Sequence, residues 1–115
     1  MKADRELDAR IAEKVFEQKV VYVGGHPHLT EGNDNYLGGD CPHFSTQIAD
    51  AWLVVEKLGE DGWSCNIVRH EKDDNLCEFW GGKMGNKHWR EIVNHQPTTP
   101  LAICLAALAV VERRG

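Results

Sequence analysis

A chain of 115 residues, 42% apolar and 27% charged, is sized for one soluble domain around a single modest core. Its 13 basic and 18 acidic residues give a net charge of −5 with the histidines neutral, which argues against the basic face that duplex nucleic acid requires. The longest apolar run, Leu101 to Val111, is too short to span a bilayer, and the opening Met1-Lys2-Ala3-Asp4-Arg5-Glu6 has no apolar signal core. A cytoplasmic protein without membrane contact is therefore expected, and the acidic balance still permits a local positive pocket for a small anion.

Asp4 to Glu17 reads as an amphipathic helix with Leu7, Ile11 and Val15 on one stripe and Asp4 as its cap. Lys19 to Val23 is a short β-prone run. Gly24 to His43 contains five glycines, two prolines and Asn33-Asp34-Asn35, the composition of one long loop and a candidate lid. A second helix is expected from Ser45 or Thr46, where Ile48, Ala51, Trp52, Val55 and Leu58 keep helical spacing until Gly59. Trp52 and Trp63 are expected in the core.

Trp63 to Arg69 alternates as a strand, Glu71 to Asn75 reads as a turn, and Leu76 to Trp80 returns as its antiparallel partner. His88 to Asn94 is a third, weaker strand. Thr99 and Pro100 open a closing helix, as cap and first helical residue. Its Leu101, Leu105 and Leu108 are flanked by Ile103, Ala107 and Val110, so it is buried in the core or at a subunit interface. The expected architecture is a single α+β domain over 1–115, a small antiparallel sheet of about three strands packed with three helices. Cys41, Cys65, Cys77 and Cys104 show no C-x-x-C pair and are expected as reduced, buried thiols.

The run Cys41-Pro42-His43-Phe44-Ser45-Thr46, continuing through Ile48-Ala49-Asp50-Ala51-Trp52 to Leu58, resembles the phage ABA sandwich domain family. Leu7 to Val15 and Thr98 to Leu108 are similar to that family's opening and closing helices, whereas Gly24 to Asp40 falls outside the resemblance. The resemblance implies an α+β sandwich from phages and prophages, mostly without assigned function. Some small phage proteins of similar size and make-up are sponges that bind cyclic nucleotide or cyclic ADP-ribose immune signals. Extending that role to this chain is an analogy of fold.

Three chemistries are open to the residues themselves. His26, His28, Cys41 and His43 form two pairs at i, i+2 spacing, a set of nitrogen and sulfur donors for tetrahedral zinc, although the spacing matches no established zinc pattern and no metal or other cofactor is assigned. Cys41 or Ser45 beside His43 would give a nucleophile and base, but no third orienting group is legible, so no catalytic residue is assigned and a non-enzyme is expected. Anion capture is the strongest. Ser45-Thr46 and Thr98-Thr99 stand at expected helix N-termini, which offer free N–H groups to phosphate. The turn Trp80-Gly81-Gly82-Lys83-Met84-Gly85-Asn86-Lys87 adds glycines and lysines, with Trp80 and Trp89 able to stack on a base and Arg90 able to meet phosphate.

The expected function is thus non-catalytic capture of a small anionic nucleotide-type signal by Ser45, Thr46, Trp80, Gly82, Lys83, Lys87, Trp89, Arg90, Thr98 and Thr99, in a homo-oligomer that counters host defence. A protein-interaction module and a zinc-stabilised domain are the alternatives.

Overall fold

The computed structural model describes residues 3–29, 39–81 and 92–113. Helix α1 (Arg5–Lys14) begins as expected, with the Asp4 carboxylate accepting the Leu7 N–H at 2.9 Å. That bond satisfies one of the donors a helix start leaves without an internal partner. Leu7, Ile11 and Val15 are buried on one stripe. The helix stops short of the expected Glu17, which instead takes a left-handed φ of 55° and turns the chain.

The stretch expected as one long loop is organised over its described parts. Strands β1 (Val20–Val23) and β2 (His26–Leu29) form an antiparallel hairpin with Val23 opposite His26. Gly24 and Gly25 between them have φ of 58° and 82°. Two successive positive φ values make the turn that matches strand twist, and glycine adopts them without a Cβ clash. Strand β3 (Gly39–Asp40) pairs with the other side of β2, and the Cys41 N–H donates to the Pro27 carbonyl at 3.1 Å. Residues 30–38, in the middle of the expected lid, lie outside the described residues.

Helix α2 (Ile48–Glu60) starts later than expected, and Gln47 at its cap position makes no side-chain cap bond. Gly59 is inside this helix, and the chain turns at Gly62, whose φ is 89°. Strands β4 (Trp63–Glu71) and β5 (Asp74–Gly81) form the expected hairpin, with Cys65 opposite Phe79 and Ile67 opposite Cys77. The register shifts between Arg69 and Glu71, so His70 sits in a bulge. Strand β6 (Ile92–Gln96) lies towards the C-terminal side of its expected span and pairs with β5, placing His95 opposite Leu76. Helix α3 (Thr99–Arg113) closes the chain. Its cap is Thr98, whose hydroxyl accepts the Leu101 N–H at 3.3 Å, one residue before the expected cap.

The expected α+β arrangement of three helices and an antiparallel sheet is present, with a second sheet in addition. The large sheet has order β4-β5-β6 and the small one β1-β2-β3. The helices lie between them: α1 packs on β1 and β2, α3 on β5 and β6, and both α1 and α2 pack on α3. Leu7, Ile11, Phe44, Leu58, Phe79 and Ile103 are the large side chains of that shared core. Each contributes roughly 1.5–3 kcal/mol through burial.

One expectation about the core is overturned. Trp63 is buried as expected, but Trp52 is 47% exposed. Helix α2 buries Ala51, Val54 and Leu58, with Val55 partly covered, and that stripe passes Trp52 by.

Candidate functional site

The Cys41–Ser45 segment is bound to α1 by a buried polar network. Asp8 is fully buried and accepts the Ser45 N–H at 2.7 Å, the Ser45 hydroxyl at 2.6 Å and Arg5 Nη1 at 2.7 Å. Arg5 Nη2 donates onward to the Cys41 carbonyl at 2.6 Å. Charge-assisted bonds of this kind are short and strong, and removing one partner leaves a buried charge exposed to no solvent. Phe44 packs beneath, fully buried, with its ring 5.1 Å from that of Phe16.

This network explains the late start of α2 and corrects the expected anion seat there. Ser45 donates to Asp8, and the Thr46 and Gln47 N–H groups donate to the His43 carbonyl at 3.3 and 2.9 Å. These donors are therefore spent within the fold. A phosphate at Ser45 would also meet the Asp8 carboxylate. At the true start of α2, Asp50 stands in the first turn and accepts the His43 N–H at 2.8 Å.

The four donors considered for zinc do not converge. Cys41 is fully buried, and loss of solvent pushes its thiol up to about 12 despite nearby Arg5. His26 and His43 are exposed, and His28 Nδ1 lies 3.4 Å from Asp40. Among the described residues, no group of three or more His, Cys, Asp or Glu is placed to hold a metal ion. The same burial disfavours a Cys41 thiolate nucleophile, and Ser45 has its hydroxyl committed to Asp8 rather than to His43. The other thiols are core groups as well. Cys77 and Cys104 are buried, and Cys65 is half-buried with its Sγ 3.9 Å from that of Cys77.

Of the remaining anion-binding candidates, Trp80, Thr98 and Thr99 are among the described residues. Thr98 caps α3, and the Thr99 hydroxyl donates to Oδ1 of buried Asn75 at 2.8 Å. The Asn75 amide in turn donates to the Gln96 and Pro97 carbonyls, fixing the corner between β6 and α3. Trp80 is half-buried at the other end of β5, opposite Ser64. Five residues of extended strand separate the two ends by roughly 17 Å, so Trp80 does not share a pocket with Thr98 and Thr99. Gly82, Lys83, Lys87, Trp89 and Arg90 lie outside the described residues.

Two features missed in the sequence come into view instead. The first is apolar surface on α2, where Ile48, Trp52 and Leu53 are 52%, 47% and 37% exposed. Ile48 and Trp52 stand one turn apart on the flank of the buried stripe. A Cβ at Gly59, two turns beyond Trp52 on that flank, would meet nothing within 4 Å. The second is a polar group on the large sheet, where His95 Nδ1 lies 3.0 Å from Asp74 Oδ1 and the His70 and His95 rings stand 6.1 Å apart. Strand register alone assembles it from three strands, so no local motif marks it.

Comparison with known proteins agrees with this architecture. No curated protein matches the chain. A phage protein from Bacillus cereus, solved by crystallography at 2.0 Å, is similar in structure with a TM-score of 0.71 and 26% identity. The match covers 97% of this chain and 89% of that one. The family model of the phage ABA sandwich domain matches residues 9–108. That span includes the Cys41–Leu58 segment and most of α1 and of the closing helix, so the chain belongs to the phage ABA sandwich domain family.

Proposed function

We propose that the chain acts by binding rather than by catalysis, and that the apolar flank of α2 engages a protein partner. The observation that carries this reading is the exposure of Ile48, Trp52 and Leu53 on one helix; strand β1 also leaves large apolar side chains, Val21, Tyr22 and Val23, at the surface. Large exposed apolar side chains on a rigid element are typical of interaction surfaces, and tryptophan is prominent among residues that dominate binding energy. The burial of Cys41 and the commitment of Ser45 to Asp8 also support a non-catalytic role. No described helix is long and apolar enough to cross a membrane, which fits action in the host-cell cytoplasm.

A photo-cross-linking residue in place of Ile48, produced in bacterial cells, tests this, with exposed Glu13 on α1 as the control position. Adducts at position 48 and none at position 13 are expected. An adduct at twice the chain mass would make the partner a second copy, the homo-oligomer expected from the sequence. Equal patterns at both positions would overturn the reading.

A second reading retains the nucleotide sponge. Trp80 favours it, because it stands half-buried on the outer face of β5, just before the glycine- and lysine-bearing sequence that follows. In this reading Trp80 and Trp89 stack on a base while Lys83, Lys87 and Arg90 meet phosphates beside Gly82. The protein would be incubated with cyclic nucleotides and cyclic ADP-ribose isomers, heat-denatured, and the released compound assayed. Intact ligand supports sequestration, a cleaved product makes the protein an enzyme, and no retention ends the reading.

A further inference from the structure

We propose that the free edge of β1 pairs with the same edge of a second copy of this chain, antiparallel about Val21, so that two small sheets join into one. Strand β1 stands at the end of the order β1-β2-β3, and among the described residues no strand pairs with its other side. Its Val21, Tyr22 and Val23 are 40%, 59% and 58% exposed. This surface is separate from the α2 flank, and the inference does not rest on that reading.

The hairpin fixes which backbone groups face the free edge. Val23 and His26 flank the two-glycine turn, so they exchange both backbone hydrogen bonds. Such pairs alternate along an antiparallel ladder, which makes Val21 and His28 the next bonded pair and leaves Tyr22 and Val20 turned away from β2. The Pro27 carbonyl agrees with this phase: opposite Tyr22, it points away from β1 and accepts the Cys41 N–H of the far side. The N–H and C=O groups of Val20 and Tyr22 therefore line the open edge.

That spacing is complementary to itself. A two-fold axis through Val21, perpendicular to the sheet, sets Val20 opposite Tyr22 of the second copy and Tyr22 opposite its Val20. Every edge-facing group of those residues is then paired, and opposed side chains share a face. Valine and tyrosine are favourable cross-strand neighbours. Two chains of net charge −5 meet here at a segment without charge, where Lys19 falls opposite Val23 rather than opposite another charge. Protective devices common on edges are present elsewhere: β3 is two residues long, and β4 carries a bulge beside Arg69 and Glu71. Strand β1 has no lysine, proline or bulge. A four-residue edge is a small interface, so a reversible, concentration-dependent dimer is expected.

Sedimentation of the full chain over a concentration series tests this. The parent is expected to pass from monomer to dimer. Val21→Lys and Val21→Glu, which place like charges opposite each other, are each expected to weaken the dimer at least about tenfold, and their mixture to restore it as a heterodimer. Tyr22→Pro removes an edge-facing donor that β2 does not use, and is expected to weaken the dimer with the fold retained. Trp52→Glu on α2 is expected to leave the dimer unchanged, so the two surfaces fail separately. Circular dichroism of each variant separates loss of the edge from loss of the fold, and the Val21 pair carries the test should proline disturb β1. A parent that stays monomeric throughout, or a dimer that survives both Val21 variants, would overturn the proposal. So would a dimer lost in Trp52→Glu, and a Lys–Glu mixture that stays monomeric would overturn the pairing about Val21.

Discussion

Helices α2 and α3 are both strongly apolar in sequence, yet the fold uses them differently. Helix α3 packs against both other helices and the large sheet, and its Ala102, Ile103, Cys104, Ala106 and Ala107 have no exposure. Helix α2 packs on α3 and β4 through Ala51, Val54 and Leu58, and leaves Ile48, Trp52 and Leu53 at the surface. An apolar residue on a fully surrounded helix is explained by the core. One on the free flank of a half-surrounded helix contributes little to folding, and binding becomes the more economical explanation.

The largest effect is expected where α2 is set in place. Asp8→Ala removes the acceptor of Arg5, the Ser45 N–H and the Ser45 hydroxyl together. Breaking a buried pair costs about 3–5 kcal/mol, and partial exposure of Arg5 puts this one near 3 kcal/mol. Urea unfolding measures it, and a loss below about 1 kcal/mol would show that the network does not anchor the segment.

Next comes a matched pair on the two helices. Ile103→Ala in α3 is expected to cost about 2–5 kcal/mol, and Ile48→Ala in α2 about 0.5 kcal/mol or less. Equal losses would break the contrast between the helices.

A smaller effect concerns pH. Native Cys41 holds its proton to about 12, whereas the unfolded thiol releases it near 9.0. Between those values the unfolded chain binds fewer protons, so stability falls as pH rises, by at most about tenfold in the folding constant per pH unit from this group. Cys41→Ala, compared with the parent chain on either side of pH about 9, should make that slope shallower, while the buried thiols of Cys77 and Cys104, also raised, keep the rest of it. An unchanged slope would remove Cys41 as its source.

The three helices and the β4–β5 hairpin were legible because each carries a local signal, such as the Asp4 cap, the spacing of Leu7, Ile11 and Val15, or the alternation from Trp63. The β1–β2 hairpin was not, since Pro27 interrupts β2 and a proline inside a run argues against a strand. Trp52 misled because apolar spacing marks a helix but does not say which of two adjacent apolar stripes the neighbours cover. Thr99 was expected as the cap of α3, but its hydroxyl is committed to Asn75 and Thr98 caps the helix in its place. Ser45 was legible as a residue near the start of a helix. Its partner Asp8 stands far away in sequence, so its role was not. The His70–Asp74–His95 group depends on a bulge and on register across three strands, and neither is written locally.

The most direct test of the binding role is Trp52→Glu, measured for stability and for cross-linking through position 48 in the same protein. Stability within about 0.5 kcal/mol of the parent, together with loss of the position-48 adduct, is the predicted result. Unfolding on the scale of a buried tryptophan, or an adduct that persists unchanged, would contradict it.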